Sequence, residues 1–456
     1  MKIIIVGLGK SGMLLAGKIS GEGHDIQVID ERQSLVDYAT NHLKVSGICG
    51  SGTSKKVLLK AGADLADIII ALTPSDEVNL MSVMIAKDCG TRYGAVKLNN
   101  RDFAEDTDYL KKQFSVDYVV NAKLATANEI ERYIGMNGSV RVHAFFTEHT
   151  VYVQIPVDTF STLRSMKVSE FQKLIDEDVI IGTVRREGHL FIPDADFSLR
   201  QGDVIGVVVA DMAASKLMEK LGGKKANAKR IMLVGGGTVC AYLAETLVGQ
   251  HKEVTVLDDD HARCVALSKK LPEANIAHAP LITAEVLDEE GIKSMDVCIS
   301  IGDEEDKNMI VSMYAWSVGV PSIITIIQDP AYEQILDKVD FDTTISPSVI
   351  CVDKLVGFIR NVTVHCDKSN GIRRVFRLEK GLGEAIEFVV GADFKKANIR
   401  FASKEFKLIK DAKIAVIMRG AETIIPDGDA CLKEGDRVII IAKAGHGIRA
   451  LNDVVK

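Results

Sequence analysis

The chain has 456 residues, a formal net charge of −7 and a pI near 5.9. It is too long for one core, which rarely grows past about 250–300 residues, and too acidic to carry a footprint for nucleic acid. No apolar run approaches the roughly 18 residues that span a bilayer, and the eight cysteines form no C-x-x-C pair, so neither a metal site nor a disulfide framework is expected.

Lys2 to Val6 is a short run with four consecutive β-branched residues, which predicts a buried parallel strand. A core strand at the start leaves no room for a signal peptide, and the thiols read as reduced in a cytoplasmic protein. The strand enters Gly7-Leu8-Gly9-Lys10-Ser11-Gly12. Gly7 permits the tight turn, Gly9 lets the backbone approach a pyrophosphate, and Gly12 lets the next helix pack on the sheet. A helix opening near Lys10 and Ser11 aims its free N–H groups at bound phosphates. The strand Asp25 to Ile29 then delivers Asp30 to a ribose hydroxyl. A glycine-rich β-α turn without a ligand is the plainer reading. Strand, turn, helix and acid in this order favour a nucleotide site. With no basic residue at position 30, NAD(H) or an adenosine nucleotide such as ATP or ADP fits better than NADP.

Strands and helices keep alternating. A helix from Glu31 to His42 precedes a strand from Val45 to Cys49, and Thr53 can cap the helix after Gly50-Ser51-Gly52. Further strands are predicted at 67–72, 93–98 and 116–120, with Thr73-Pro74 and Lys97 at strand ends. This is a doubly wound parallel sheet, whose ligand crevice lies outside the carboxyl ends of its strands. From about Ser139 to Leu221 the pattern becomes a small α+β module, and the polar run Gly222 to Arg230 reads as a linker.

The chain then restates itself. Arg230 to Val234 and Gly235-Gly236-Gly237-Thr238-Val239 repeat the opening strand and turn, and Asp258 repeats Asp30. The spacing is 228 residues from Gly7 to Gly235 and from Asp30 to Asp258, and 229 from Asn79 to Asn308. The small module recurs too: Leu199-x-x-Gly202-Asp203 returns as Leu432-x-x-Gly435-Asp436. The chain is therefore a tandem duplication of a two-module unit.

On these residues the chain resembles the TrkA-type regulatory subunits of Trk potassium uptake systems, which carry two RCK units in tandem. The carriers are the opening Ile-Ile-Val-Gly-Leu-Gly, Ala71-Leu72-Thr73-x-x-Asp76-Glu77-x-Asn79, Val116-Asp117-Tyr118, Ile345-Ser346-Pro347 and the two Leu-x-x-Gly-Asp turns. The resemblance implies two Rossmann-like N-modules (1–135 and 229–350), each followed by a small C-module (139–221 and 371–456). It implies that Gly7 to Ser11 cradle phosphates, Asp30 holds the adenosine ribose, Ser51 and Gly52 border the adenine, and Thr73 and Pro74 line the crevice. Lys97 and Asn99 stand where the family often has two arginines. It further implies a homo-oligomer of four chains, docked at the inner face of the membrane on a TrkH-like potassium transporter.

The second N-module departs from the first. Cys240 replaces the third glycine, Ala279-Pro280-Leu281 replaces Gly50-Ser51-Gly52, and Ile301 or Gly302 replaces Thr73. Asp258-Asp259-Asp260 is read as an acidic cluster that repels a polyphosphate. The other function weighed is an NAD-dependent oxidoreductase, which needs a positioned acid or base. His143, His149 and His189 lie singly and have no matching histidines in the second half, so no catalytic residue is assigned.

Overall fold

The computed structural model describes residues 1–100, 103, 107–134, 141–144, 150–175, 179–221, 228–328, 332, 343–366, 374–379, 382–420, 422–445, 448 and 450–456. Residues 222–227 of the expected linker and His149 lie outside them.

The first sheet comprises β1 (Lys2–Val6), β2 (Asp25–Asp30), β3 (Ser46–Cys49), β4 (Ile68–Ala71), β5 (Tyr93–Lys97) and β6 (Tyr118–Val120). Its order is β3-β2-β1-β4-β5-β6, and every neighbouring pair is parallel. The order reverses between β1 and β4, which opens a crevice at their carboxyl ends. Helices Lys10–Ile19 and Gln33–His42 pack one face through Leu15, Ile19 and Val36. Helices Lys55–Lys60, Asp76–Cys89 and Thr107–Phe114 cover the other through Leu58, Val83 and Leu110.

The first small module is an antiparallel sheet of β7 (Arg141–Ala144), β8 (Thr150–Pro156), β9 (Val179–Arg186), β10 (His189–Phe191) and β11 (Val204–Ala210), ordered β10-β9-β11-β8-β7. The short β10 and the helix Asp211–Lys220 were not anticipated. Helix Val168–Ile175 supplies Phe171 and Ile175 to the core under this sheet.

The second half repeats both topologies. β12 (Arg230–Val234), β13 (Glu253–Asp258), β14 (Asn275–His278), β15 (Val297–Ser300), β16 (Ser322–Ile326) and β17 (Thr343–Ile345) form a parallel sheet ordered β14-β13-β12-β15-β16-β17. β18 (Arg374–Leu378), β19 (Gly383–Val389), β20 (Ala412–Arg419), β21 (Glu422–Ile424) and β22 (Arg437–Lys443) form the matching antiparallel sheet, ordered β18-β19-β22-β20-β21.

The Leu-x-x-Gly-Asp repeats have a folding task. Asp203 accepts two bonds from Arg186, at 2.7 and 2.8 Å, and one from Arg200 N–H at 2.8 Å. Asp436 does the same with Arg419 (2.9 and 2.8 Å) and Lys433 N–H (2.7 Å). Each carboxylate is buried and ties its turn to a neighbouring strand through a two-pronged ion pair.

The modules pair by type rather than by half. One compact unit holds Met1–Arg132 with Ala228–Val362, and the other holds Tyr133–Asn227 with Thr363–Lys456. In the first unit, residues 351–362, outside every predicted module, belong to the helix Pro347–Cys366. Cys351, Val352, Leu355 and Ile359 of that helix enter the core beneath the first sheet. Phe358 stacks on Tyr118 with ring centroids 5.0 Å apart. In the second unit the two small sheets share a core that joins Tyr152, Ile180 and Val208 to Ala385, Val416 and Ile441.

Two local boundaries correct the sequence reading. Ser54, not Thr53, caps the helix Lys55–Lys60, its side chain accepting from Val57 N–H. The second helix begins at Gln33 rather than Glu31, because Arg32 is extended and its N–H is held by Asp30 at 2.9 Å.

Candidate functional site

The carboxyl ends of β1, β4 and β5 and those of their repeats face one cavity of ≈ 1370 Å³ within the first unit. Of the predicted residues, Gly7, Gly9, Lys10, Ser11, Asp30, Gly52, Thr73, Pro74 and Lys97 line it, with Gly236, Gly237, Thr238 and Val239 from the second half. Leu8, Gly12, Ser51, Gly235 and Asp258 do not. They act behind the lining or beside it.

The glycine turn explains the division. Gly7 has φ +92°, and a side chain there would meet Thr73 N at 2.9 Å. A Cβ on Gly12 would lie 1.9 Å from the Gly7 carbonyl oxygen, so the helix can close on the turn only without one. Gly9 has open space where a Cβ would stand, on the cavity side. Leu8 is buried, and its N–H donates to Asp30 Oδ2 at 2.7 Å. Ser51 turns its hydroxyl to that of Thr53, 3.0 Å away.

Asp30 therefore braces the turn as well as facing the cavity. Its Oδ1 accepts from Arg32 N–H at 2.9 Å and Arg32 Nε at 3.2 Å. Burial would raise its carboxyl, but the bonds from Leu8 and Arg32 outweigh it and hold the group below the usual carboxylate range. An ionised Asp30 keeps acceptor capacity for a hydroxyl donor.

The second half repeats this brace. Asp258 Oδ2 accepts from Gly236 N–H, and its Oδ1 accepts from Asp260 N–H at 2.8 Å and Arg263 Nε at 2.9 Å. This corrects the reading of 258–260 as a bare acidic cluster. Arg263 also reaches Asp259 and Asp303, each at 3.2 Å, and Asp260 caps the helix His261–Lys270. The cluster is thus partly neutralised. The choice between Ile301 and Gly302 is also resolved. Asn79 Oδ1 accepts from Thr73 N–H and Asn308 Oδ1 from Gly302 N–H, both at 2.8 Å, so Gly302 is the partner of Thr73. Both asparagines are buried and tie neighbouring strand ends together: Asn79 also donates to Lys97 O, and Asn308 to Ile326 O.

The cavity lining is cationic in balance: Lys10, Arg32, Lys97, Lys123, Arg263 and Lys270 stand against Asp30, Glu31 and Asp303. Burial lowers the Lys97 ammonium from the ordinary lysine range, opposed by the charge of Asp76. Asn99, beside it, also lines the cavity; its N–H donates to both oxygens of Asp76 at 2.9 Å and its side-chain amide to Asp76 Oδ1 at 3.2 Å. The two glycine turns also contact opposite halves. Lys10 Nζ pairs with Glu305 Oε1 at 2.7 Å, and Lys123 Nζ donates to Thr238 Oγ1 at 3.2 Å. Sequence reasoning missed Arg32, Lys123, Arg263, Lys270 and Glu305. For Arg32 and Arg263 a signal existed, a basic residue shortly after each strand-ending acid. For Lys123 and Glu305 none did, because their partners lie more than a hundred residues away.

The TrkA-N domain is matched twice, at residues 3–122 and 231–347, together more than half of the chain. The chain belongs to the TrkA-N family. Among relatives, this TrkA-N protein is 27% identical over 443 residues to a Trk system potassium uptake protein TrkA homolog of Archaeoglobus fulgidus, covering 97% of each chain. It is 26% identical over 445 residues to the Trk system potassium uptake protein TrkA of Haemophilus influenzae, covering 96% of this chain and 95% of that one. Among solved structures, a GsuK channel bound to NAD aligns with a TM-score of 0.61 at 15% identity, covering 97% of this chain and 77% of the other. The GsuK RCK domain gives 0.60 at 16% identity, covering 97% and 92%. These likenesses bear out the fold, two Rossmann-like sheets each followed by a small α+β module. No helix among the described residues is long and apolar enough to cross a membrane.

Proposed function

We propose that this TrkA-N protein is a nucleotide-binding regulatory subunit that gates a membrane potassium uptake transporter from the cytoplasmic face. The observation that carries the reading is the cavity itself, where an open Gly9, a braced Asp30 and a cationic lining meet at the sheet's switch point. Relatives named as potassium uptake proteins over almost their full length support the physiological role.

Gly7 to Ser11 would take the phosphates, Asp30 the adenosine ribose, Gly52 the adenine edge, and Thr73, Pro74 and Lys97 the distal half of NAD(H), ADP or ATP. Gly236 to Val239 would form a second, weaker site. The modules run over 1–135, 139–221, 229–350 and 371–456. The partner would be a TrkH-like transporter, and the working assembly a ring of four chains. Regulation requires a ligand that binds one arrangement of the N-modules better than another. No bond need be made or broken.

Thermal melts with NAD⁺, NADH, ADP and ATP test the reading, and at least one should raise the melting temperature. NADH absorbance should stay flat with a panel of hydroxy acids and aldehydes; steady oxidation or reduction would establish the dehydrogenase instead. Light scattering should give the mass of four chains at micromolar concentration, and a 49.6 kDa monomer would count against the ring.

A further inference from the structure

Glu305 opens the helix Glu305–Ser317, the repeat of the helix that Asp76 opens in the first half. The two acids brace equivalent strand ends: Asp76 accepts from Asn99 N–H at 2.9 Å, and Glu305 Oε2 from Gln328 N–H at 3.2 Å. Glu305 has one more methylene than Asp76. Its Oε1 extends out of its own half and meets Lys10 Nζ at 2.7 Å, at the first residue of the helix that follows the first glycine turn. The Glu305 side chain is only 16% exposed, whereas that of Lys10 is 57% exposed. A backbone N–H therefore anchors the carboxylate, and the lysine is the more exposed partner.

We propose that Glu305 is a charge filter on the first cleft, a fixed anion that makes this site favour a weakly charged dinucleotide over a nucleoside polyphosphate. The inference rests on the nucleotide reading of that cleft. A phosphate arriving at the turn competes with Glu305 for Lys10, and each further negative charge adds to its repulsion by the same anchored carboxylate. ATP carries more negative charge than ADP, and ADP more than NAD⁺, so the penalty rises in that order. The second turn lacks this device. Thr238 stands in place of Lys10, and the residue that meets it is the cation Lys123.

Calorimetric titration of NAD⁺, ADP and ATP, without magnesium, into wild type, Glu305→Gln and Glu305→Asp tests the filter. Glutamine keeps an acceptor for Gln328 N–H and removes only the charge. Glu305→Gln should tighten ATP by about tenfold more than NAD⁺, with ADP between them. Glu305→Asp, still charged, should keep the wild-type ranking. Lys10→Met is an independent second probe. It leaves the carboxylate uncompensated, so adding Glu305→Gln to Lys10→Met should recover ATP binding by more than NAD⁺ binding. If all three ligands bind wild type and Glu305→Gln in the same ratios, or if adding Glu305→Gln to Lys10→Met changes all three equally, the filter is wrong. If no nucleotide binds wild type or any variant, the nucleotide reading of the cleft falls first and the filter with it.

Discussion

Asp30 and Asp258 occupy the same place in the two halves and hold their glycine turns by the same set of bonds, yet their surroundings differ. Around Asp30 the turn keeps three glycines and one arginine. Around Asp258 a cysteine fills the third glycine position, and one arginine is shared among four carboxylates. The pairs Asp203–Arg186 and Asp436–Arg419, each a buried carboxylate on a half-buried arginine, are by contrast the same in both halves. The duplicated halves kept what each module needs to fold and let the lining of the cleft diverge.

The largest effects should come where the halves agree. Asp203→Asn and Asp436→Asn each remove the charge of a buried carboxylate that holds a half-buried arginine and should cost about 2–4 kcal/mol, nearly equally, in urea unfolding. Burial would raise the Asp436 carboxyl, but Arg419 and Lys433 N–H hold it below the usual range. Its contribution is therefore complete above about pH 4 and lost as the pH falls through that lowered value, so the gap between wild type and Asp436→Asn should close in acid. Clearly unequal costs would break the claim that the turn is one repeated device.

Next is a position where the small modules differ. Lys413 on β20 repeats Ile180 on β9 and donates to Ile181 O at 3.1 Å. Burial lowers its ammonium to about 8. The unfolded chain binds this proton more tightly, so stability should rise by roughly 2–3 kcal/mol as the pH climbs from about 8 to 10.5. Lys413→Ile, which restores the first half's residue, should flatten that rise in melts run across the range. An unchanged slope would place the titration elsewhere.

Gly12→Ala and Cys240→Ala probe the same turn position. The first drives a Cβ into the Gly7 carbonyl and should cost about 1–3 kcal/mol while weakening nucleotide binding. The second trims a fully buried thiol, with about 1 kcal/mol lost and binding kept. Equal losses of affinity in both variants would mean that the two turns serve the ligand alike. The last comparison is of the two acids, each of which also loses its brace on a glycine turn when replaced by alanine. Asp30→Ala should weaken NAD⁺ or adenosine-nucleotide binding about tenfold, or about 1.4 kcal/mol. Asp258→Ala should weaken it less, because Arg263 retains Asp259 and Asp303. Calorimetry that shows the tight phase lost in Asp258→Ala and intact in Asp30→Ala would move the sensor to the second half.

Much of this was legible in the chain. Apolar runs such as Ile68-Ile69-Ile70 can only be buried strands in an alternating pattern, so both parallel sheets and their ligand edge followed. The constant spacing exposed the duplication. Short elements were harder: β10 has three residues, and a single buried one, Leu190, carries no period. The pairing of modules by type was hidden for another reason. The apolar stripe of Pro347–Cys366 states that the helix covers a sheet, not which one. The roles of Arg263 and Glu305 depend on side-chain reach, which a linear pattern does not record.

The helix Pro347–Cys366 gives the chain a property of its own. It grows out of the end of the second Rossmann-like sheet and completes the core of the first. Severing the chain near residue 228 would therefore not release two finished proteins. The front fragment would carry an uncovered patch beneath β1 and β4, and the rear fragment an amphipathic helix with nothing to lie on. Two such fragments mixed together would have cause to find each other again. In the intact chain that reunion is covalently guaranteed: one polypeptide is in effect a tethered dimer whose two members cannot drift apart.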